Sequence, residues 1–301
     1  MLSYTALRNL YGQLTNNPSS SNLALGDTFI NQAYRQICAV RPWYWLEGTN
    51  TATTVASQQA YNLPYDYDKL IDVYITVGSY KYVPTEVVSQ MDWDRLNEQA
   101  TYSSNYPVYF HIFNNQMLFW PTPSTSSLTI TYNYRKNVVD LSIADYTTGT
   151  VSSVGTTTIT GSGTAWNASM IGKYFQITPT ATAATNGDGF WYKVTAVASS
   201  TSLTLDKAYA GSNVTGAAFT IGQMPAIVEA FHDTPVYKSV EIYYSTIEPE
   251  PTRADLFKRM YDDKYKGLVM DSKKSVNTWV QLPMPPNGYP ENGNNFYYVT
   301  P

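Results

Sequence analysis

The stretch YFHIFNNQMLFWPTPS, Tyr109 to Ser124, sets five aromatic rings in sixteen positions and ends at two prolines. At its centre stand Asn114 and Asn115, and Asn tolerates the positive φ that a tight two-residue turn demands. The stretch therefore reads as a β-hairpin. Outward from the turn, Phe110 and Ile112 face one way and Tyr109, His111 and Phe113 the other. Both faces carry apolar bulk, so the hairpin is expected to be covered twice, by its own core and by a neighbour. The competing reading, a platform of exposed rings for stacking on sugars, is weakened because aromatics recur at strand positions throughout.

Period-two patterning extends on both sides of the hairpin. Residues 53–64, 69–84 and 127–136 read as further strands, with a short helix within 85–100 that buries Met91 and Leu96. Before them, Leu2, Ala6, Leu10 and Leu14, flanked by Leu7 and Tyr11, repeat at helical spacing. A second helix carries Phe29, Ala33, Ile37 and Val40 beside Ile30 and Tyr34, and ends at Pro42. Residues 149–222 differ in kind: only five of 74 are charged and 23 are Ser or Thr, in short β runs between Gly-rich turns. That pattern fits a small barrel or sandwich set into a loop, where a longer closure costs little extra entropy. Helices return from Pro225, placed as a first-turn proline, and again at TRAD, where Thr252 and Asp255 are spaced as a capping box.

The expected fold is thus α+β. N- and C-terminal helices form a layer on an antiparallel β core (1–147 and 223–274), with an inserted all-β barrel or sandwich at 148–222. The final helix has a charged face with Arg253, Lys258, Arg259, Lys264 and Lys266. Residues 253–274 hold seven Lys or Arg against four Asp, in a chain of net charge −4. Either this is a solvated helix face or it docks an acidic protein partner. Residues 275–301 hold five prolines and one charge, Glu291, with no period able to build a core. They read as an extended arm on a neighbouring subunit, anchored by Trp279, Tyr289, Phe296, Tyr297 and Tyr298.

Composition excludes several classes. Twenty-seven tyrosines with 14% charged residues suit either a surface covered by neighbours or a β-rich monomer. The net charge offers no broad basic face for holding nucleic acid. Cys38, the single cysteine, rules out an internal disulfide framework and reads as a small buried side chain in a helix. The start MLSYTALRNLYGQL lacks a signal peptide's basic start and apolar run, and no apolar stretch is long enough to span a membrane. Synthesis and folding in a cytoplasm are expected. His111 and His232 lack companions at metal-ligand spacing, and no phosphate loop or nucleophile turn occurs. Asp66, Asp68, Asp92 and Asp94 are carboxylates whose sequence proximity does not establish a glycosidase geometry. No catalytic residue, cofactor or metal is expected.

Three stretches in order resemble the tailed-bacteriophage head–tail connector, or adaptor, proteins. The first is DTFINQAYRQICAVRPWYW (27–45), a helix running into an aromatic turn. The second is the hairpin itself, from Tyr109-Phe110 to Leu118-Phe119-Trp120-Pro121-Thr122-Pro123, followed by SLTITYNYRK (127–136). The third is PAIVEAFHDTPVYKSVEIYY (225–244). The resemblance implies a dodecameric ring beneath the portal protein, joined to a tail nozzle or other tail proteins. Genomic double-stranded DNA would pass through its lumen without sequence-specific binding. It also implies a virion neck location, and C-terminal segments inserted at the portal interface. The 148–222 segment lies outside that resemblance. The alternative is another tail component, a nozzle or a carbohydrate-binding receptor protein, that recognises its target through the β insertion.

Overall fold

Each of the first two helices is started by a serine. In α1 (Tyr4–Leu14) the Ser3 hydroxyl accepts from the Ala6 N–H, and in α2 (Ser20–Ala39) Ser19 accepts from Asn22. The computed structural model describes residues 1–98, 103–104, 106–153 and 155–274. Tyr4, Leu7 and Tyr11 are the buried line of α1, while Leu2, Ala6, Leu10 and Leu14 are only half-buried. Leu7 and Tyr11, read from sequence as flanks, take the core side together with Tyr4. In α2 the buried line is Ile30, Ala33, Tyr34, Ile37 and Cys38, and Val40 is exposed. Gly26 lets the two helices close up: a Cβ there would lie 2.4 Å from the Tyr11 ring.

The chain forms two compact units, Met1–Val40 with the described chain from Asp140 on, and Arg41–Val139. The second unit runs β1 (Glu47–Thr53), β2 (Ala60–Asn62), β3 (Tyr67–Val77), β4 (Tyr80–Tyr82), β5 (Thr85–Glu86), α3 (Gln90–Glu98), β6 (Ser103–Ser104), β7 (Tyr109–Phe113), β8 (Gln116–Trp120), β9 (Thr122–Pro123) and β10 (Thr129–Lys136). One sheet is antiparallel in the order β1-β10-β3-β4. A second, β2-β8-β7-β5, is antiparallel except for the β5–β7 pair, and β6 pairs with β9 in parallel. The strand expected over 53–64 is broken, because the chain turns at Val55–Gln58 with Ser57 at φ 65°.

The hairpin forms as its asparagines require. Asn114 and Asn115 stand at φ 49° and 58°, and Phe113 pairs with Gln116 across the turn. Phe110, Met117 and Phe119 share one apolar cluster with Val73, Ile75, Ile130, Tyr132 and Tyr134 of the other sheet. Part of the opposite face is covered by α3 of the same chain. Trp93, buried, stacks on His111 at 5.4 Å, and His111 stacks on Phe113 at 6.3 Å. His111 Nδ1 donates to the Val87 carbonyl at 2.6 Å, and Nε2 lies 2.9 Å from Gln90 Oε1. Trp93 therefore fills the place expected of Met91 and Leu96: Met91 is 60% exposed and Leu96 half-buried.

In the first unit β11 (Thr150–Ser153), β12 (Thr158–Ser162), β13 (Tyr174–Ile177), β14 (Tyr192–Ser199), β15 (Ser202–Leu205), β16 (Val214–Ala217) and β17 (Phe219–Gly222) make one antiparallel sheet. Its order is β16-β11-β12-β15-β14-β13-β17. The edge strands β16 and β17 are consecutive in the chain, joined through Ala218. Alternate residues from every strand, among them Val151, Ile159, Phe175, Val194, Leu203, Val214 and Phe219, enter one core.

Side-chain amides hold the chain where it enters and leaves this sheet. Asn31 accepts from the Leu141 N–H at 2.7 Å and donates to the Leu141 carbonyl at 2.9 Å. Gln223 accepts from the Ser142 and Ile143 N–H groups and donates to the Asp140 carbonyl, each at 2.9 Å. Beyond it come α4 (Thr234–Thr246) and α5 (Pro251–Lys274). The helix expected from Pro225 starts nine residues later at Thr234. Pro235 holds the first-turn position, the place where a missing N–H costs no helical bond. Thr252 likewise falls inside the first turn of α5 and not at its cap.

His232 ties the start of the chain to the segment before α4. Its Nε2 donates to the Ile227 carbonyl at 2.9 Å and its Nδ1 accepts from the Leu2 N–H at 3.1 Å. Burial holds its pKa below 6.5, and the nearby N-terminal amine pushes the same way while Glu229 opposes. The folded state thus keeps the ring neutral where the unfolded chain has begun to bind a proton.

Two predictions follow from the turn and the histidine. Asn115→Val loses about 1–2 kcal/mol in denaturant unfolding, the cost of a β-branched residue at positive φ, whereas Asn115→Gly loses nothing. Equal loss in both would remove the turn argument. His232 stability is fully present above about pH 6.5 and lost as pH falls below it, by up to about 1.4 kcal/mol per pH unit. His232→Gln should flatten that slope between pH 6.5 and 5; an unchanged slope would exclude His232 as its source.

Candidate functional site

The basic face read on the last helix is divided by the structure. Phe257 and Leu268 bury one side of α5, and Phe257 stacks on Tyr244 of α4 at 6.1 Å. Burial pushes the Tyr261 hydroxyl, on the same side, up to about 12. Two of the five cations serve this packing. Arg253 pairs with Glu250 at 2.8 Å, donates to the Tyr244 hydroxyl at 2.7 Å and lies over its ring. Lys264 pairs with Asp233 at 2.8 Å, and the other Asp233 oxygen is buried with no hydrogen-bond partner.

The remaining three point outward. Lys258 and Arg259 are exposed and have no ion partner among the described residues. Lys266 reaches Asp263 at 3.8 Å with both side chains largely in water, a pair worth little. What the sequence reading missed is the apolar component of this face. Leu256 is 53% and Met270 64% exposed, and Leu256, Arg259, Asp263, Lys266 and Met270 follow one another at helical spacing. The charge run hid them, since attention to cations passes over the residues between. A shallow groove of about 330 Å³, lined by Phe231, Tyr237, Met260, Asp263 and Lys264, runs beside the Lys264 pair.

The expected anchors Trp279, Tyr289, Phe296, Tyr297 and Tyr298 lie outside the described residues. Among the described residues no group of three or more His, Cys, Asp or Glu is placed to hold a metal ion. No described helix is long and apolar enough to cross a membrane. Cys38 is buried, and its thiol is pushed up to about 12 by that burial.

The sequence matches the family described as SU10 adaptor protein over residues 3–158, and no curated protein matches it. The matched span includes α1, α2, all of β1–β10 and the hairpin; residues 225–244, the third stretch of the resemblance, lie beyond it.

The division of the cations is testable by stability. Lys264→Ala leaves the Asp233 carboxylate unpaired and should cost about 1–3 kcal/mol in chemical denaturation. Lys258→Ala and Arg259→Ala should stay within about 0.5 kcal/mol of the parent. Comparable losses at all three positions would refute the division.

Proposed function

Because the chain belongs to the SU10 adaptor protein family, and so is a structural adaptor protein of a bacteriophage, we propose that it forms a ring docked beneath the portal protein. In that reading it sits in the virion neck, offers the tail proteins their attachment surface and encloses part of the path of the genome. The observation that carries the reading is the family match over residues 3–158. Its work is mechanical and not catalytic: it closes the filled head and passes DNA on ejection.

The charge suits that task. A strongly basic wall would hold phosphates through counterion release, whereas a chain of net charge −4 lets the duplex slide. Within the same proposal, residues 148–222 are a barrel inserted in an adaptor core made of 1–147 and 223–274. Support comes from the separate apolar cluster of β11–β17 and from the direct chain connection of its two edge strands through Ala218. Residues 275–301 would be the arm that reaches the portal, an assignment resting on composition alone.

One specific observation favours a second role for the insertion. Phe190 is 68% exposed on a turn fixed by Asp188, whose carboxylate accepts from Phe190 N–H and from the Tyr192 hydroxyl. A fixed, solvent-facing ring in an almost uncharged module suits recognition of a neutral sugar surface. Binding on a glycan array that is lost with Phe190→Ala would establish it.

The ring reading is tested by electron microscopy of the protein mixed with its portal. A second coaxial ring is expected, and a chain ending at residue 274 should fail to dock. Absence of that ring would sink the adaptor placement; normal docking of the truncated chain would sink only the arm.

A further inference from the structure

We propose that the shallow groove beside α5 is the seat of this chain's own proline run, residues 282–290, which folds back along the helix it follows. The C-terminal segment is then held on its own unit in the free protein. The inference goes beyond the ring reading and does not need it, since the seat fills before any partner is met.

The groove follows one stripe of α5. Met260, Asp263 and Lys264 line it, and with Gly267 they stand at i, i+3, i+4 and i+7, on one face of the helix. Gly267 shapes the wall: a Cβ there would lie 2.9 Å from the Phe231 ring, so the missing side chain lets that ring rest against the helix. Phe231, Tyr237 and Met260 are each half-buried, apolar side chains with part of their surface still in water. The charges of the groove already have partners. Lys264 pairs with Asp233 at 2.8 Å, and Asp263 reaches Lys266 at 3.8 Å. What the groove lacks is an apolar, uncharged cover.

Reach and composition identify the occupant. From Lys274, where α5 ends, Lys264 and Met260 lie about 15 and 21 Å back along the axis, at about 1.5 Å per residue. At about 3.3 Å per residue, Trp279 extends only about 17 Å from that point and stops short of Met260, whereas Pro283 extends about 30 Å and can arrive there. Residues 282–290, LPMPPNGYP, carry four prolines and no charge. Pro283 and Pro286 stand three apart, one turn of a polyproline helix, a preformed shape that packs into aromatic-lined grooves. Residues 283–286 in that form span about 9 Å, against about 10 Å of α5 from Met260 to Gly267. A polyproline helix has no internal hydrogen bonds, and the Lys264 ammonium keeps protons beyond the one given to Asp233 for its carbonyls. The tether also sets the odds. A segment joined by a short linker acts at an effective concentration on the order of millimolar, so a shallow groove fills even when it binds weakly. Another copy's tail competes only at its bulk concentration.

The test uses the full chain without its portal, with circular dichroism as the fold control. In the first measurement Pro283→Ala, Pro285→Ala and Pro286→Ala are combined, leaving every residue of the groove in place, and hydroxyl-radical labelling is read by mass spectrometry. Labelling of Phe231, Tyr237 and Met260 should rise about threefold over the parent, because a tethered segment that fills the groove most of the time shields them for most of it. Phe190, exposed in the β-rich segment, should not change. No rise at the three groove residues overturns the proposal. The second measurement combines Met284→Cys with Met260→Cys or, as the control, with Lys258→Cys, two residues away on the far side of the same turn of α5. Cys38 is buried and stays out of the reaction. Air oxidation should close the disulfide within one chain about tenfold faster for the Met260 pair, since a seated segment holds its thiols together while a free tether samples both faces alike. Equal rates overturn the proposal, and closure only between chains overturns it in favour of a second copy's tail. Should Met260→Cys unsettle the fold, the labelling decides alone. Either failure leaves the ring reading standing, because that reading is judged by microscopy with the portal.

Discussion

The first unit depends on a solution to one backbone problem. A sheet of seven strands begins and ends between helices, and the peptide groups at its entry have no strand to pair with. Asn31 and Gln223 answer as substitute backbone: each amide takes both donors and acceptors of the passing chain, Leu141 for one and Asp140, Ser142 and Ile143 for the other. Asn31 is buried and its second amide proton goes to the Asp27 carbonyl, so nothing polar is left unpaired. Because the Gln223 carbonyl also accepts from the Tyr4 N–H, the exit of the sheet is tied to the start of α1. Tyr34, from α2, closes the same region by accepting from the Ala226 N–H at 2.9 Å.

Tyrosine does in this protein much of what aliphatic residues do elsewhere. Tyr11, Tyr34, Tyr61, Tyr132, Tyr134, Tyr243 and Tyr244 are buried, with ring faces in apolar clusters and hydroxyls aimed at polar edges. Tyr61 bonds the Gln58 carbonyl, Tyr134 the Asp66 carboxylate and Tyr192 the Asp188 carboxylate. Burial raises the pKa values of Tyr4 and Tyr192 to about 12 and pushes up those of Tyr11, Tyr34, Tyr61, Tyr132, Tyr134 and Tyr243, so these hydroxyls remain neutral through the physiological range. Tyrosine-rich composition alone left open whether the rings served strands or neighbours. The structure assigns these to cores, and the exceptions stand out: Tyr65 and Tyr80 are almost wholly in water.

That use of tyrosine also explains which parts of the fold were legible. Local rules worked where one residue type has one job. The Asn114-Asn115 turn, the strand β10 and the short β runs between Gly-rich turns at β12, β13, β14, β15 and β17 could be read directly. Reading failed where a residue has two. In α1 the leucine stripe and the tyrosine line were both helical in period, and only packing against α2 at Gly26 selects the second. In α3 the lone Trp93 outweighs Met91 because a histidine ring across the sheet is shaped to stack on it. The cations of α5 could be counted but not sorted, since the partners that capture Lys264 and Arg253, Asp233 and Tyr244, come from another helix and the segment before it.

The sorting has a physical consequence for the surface that α5 presents. Leu256 and Met270 are fourteen residues apart on α5, about 21 Å along the axis, and charged side chains occupy the turns between. The two exposed apolar side chains therefore do not join into one patch on this face. Salt would screen the exposed charges of this face and leave the burial of Phe257 and Leu268 on the opposite side in place, since screening acts on the first and not on the second.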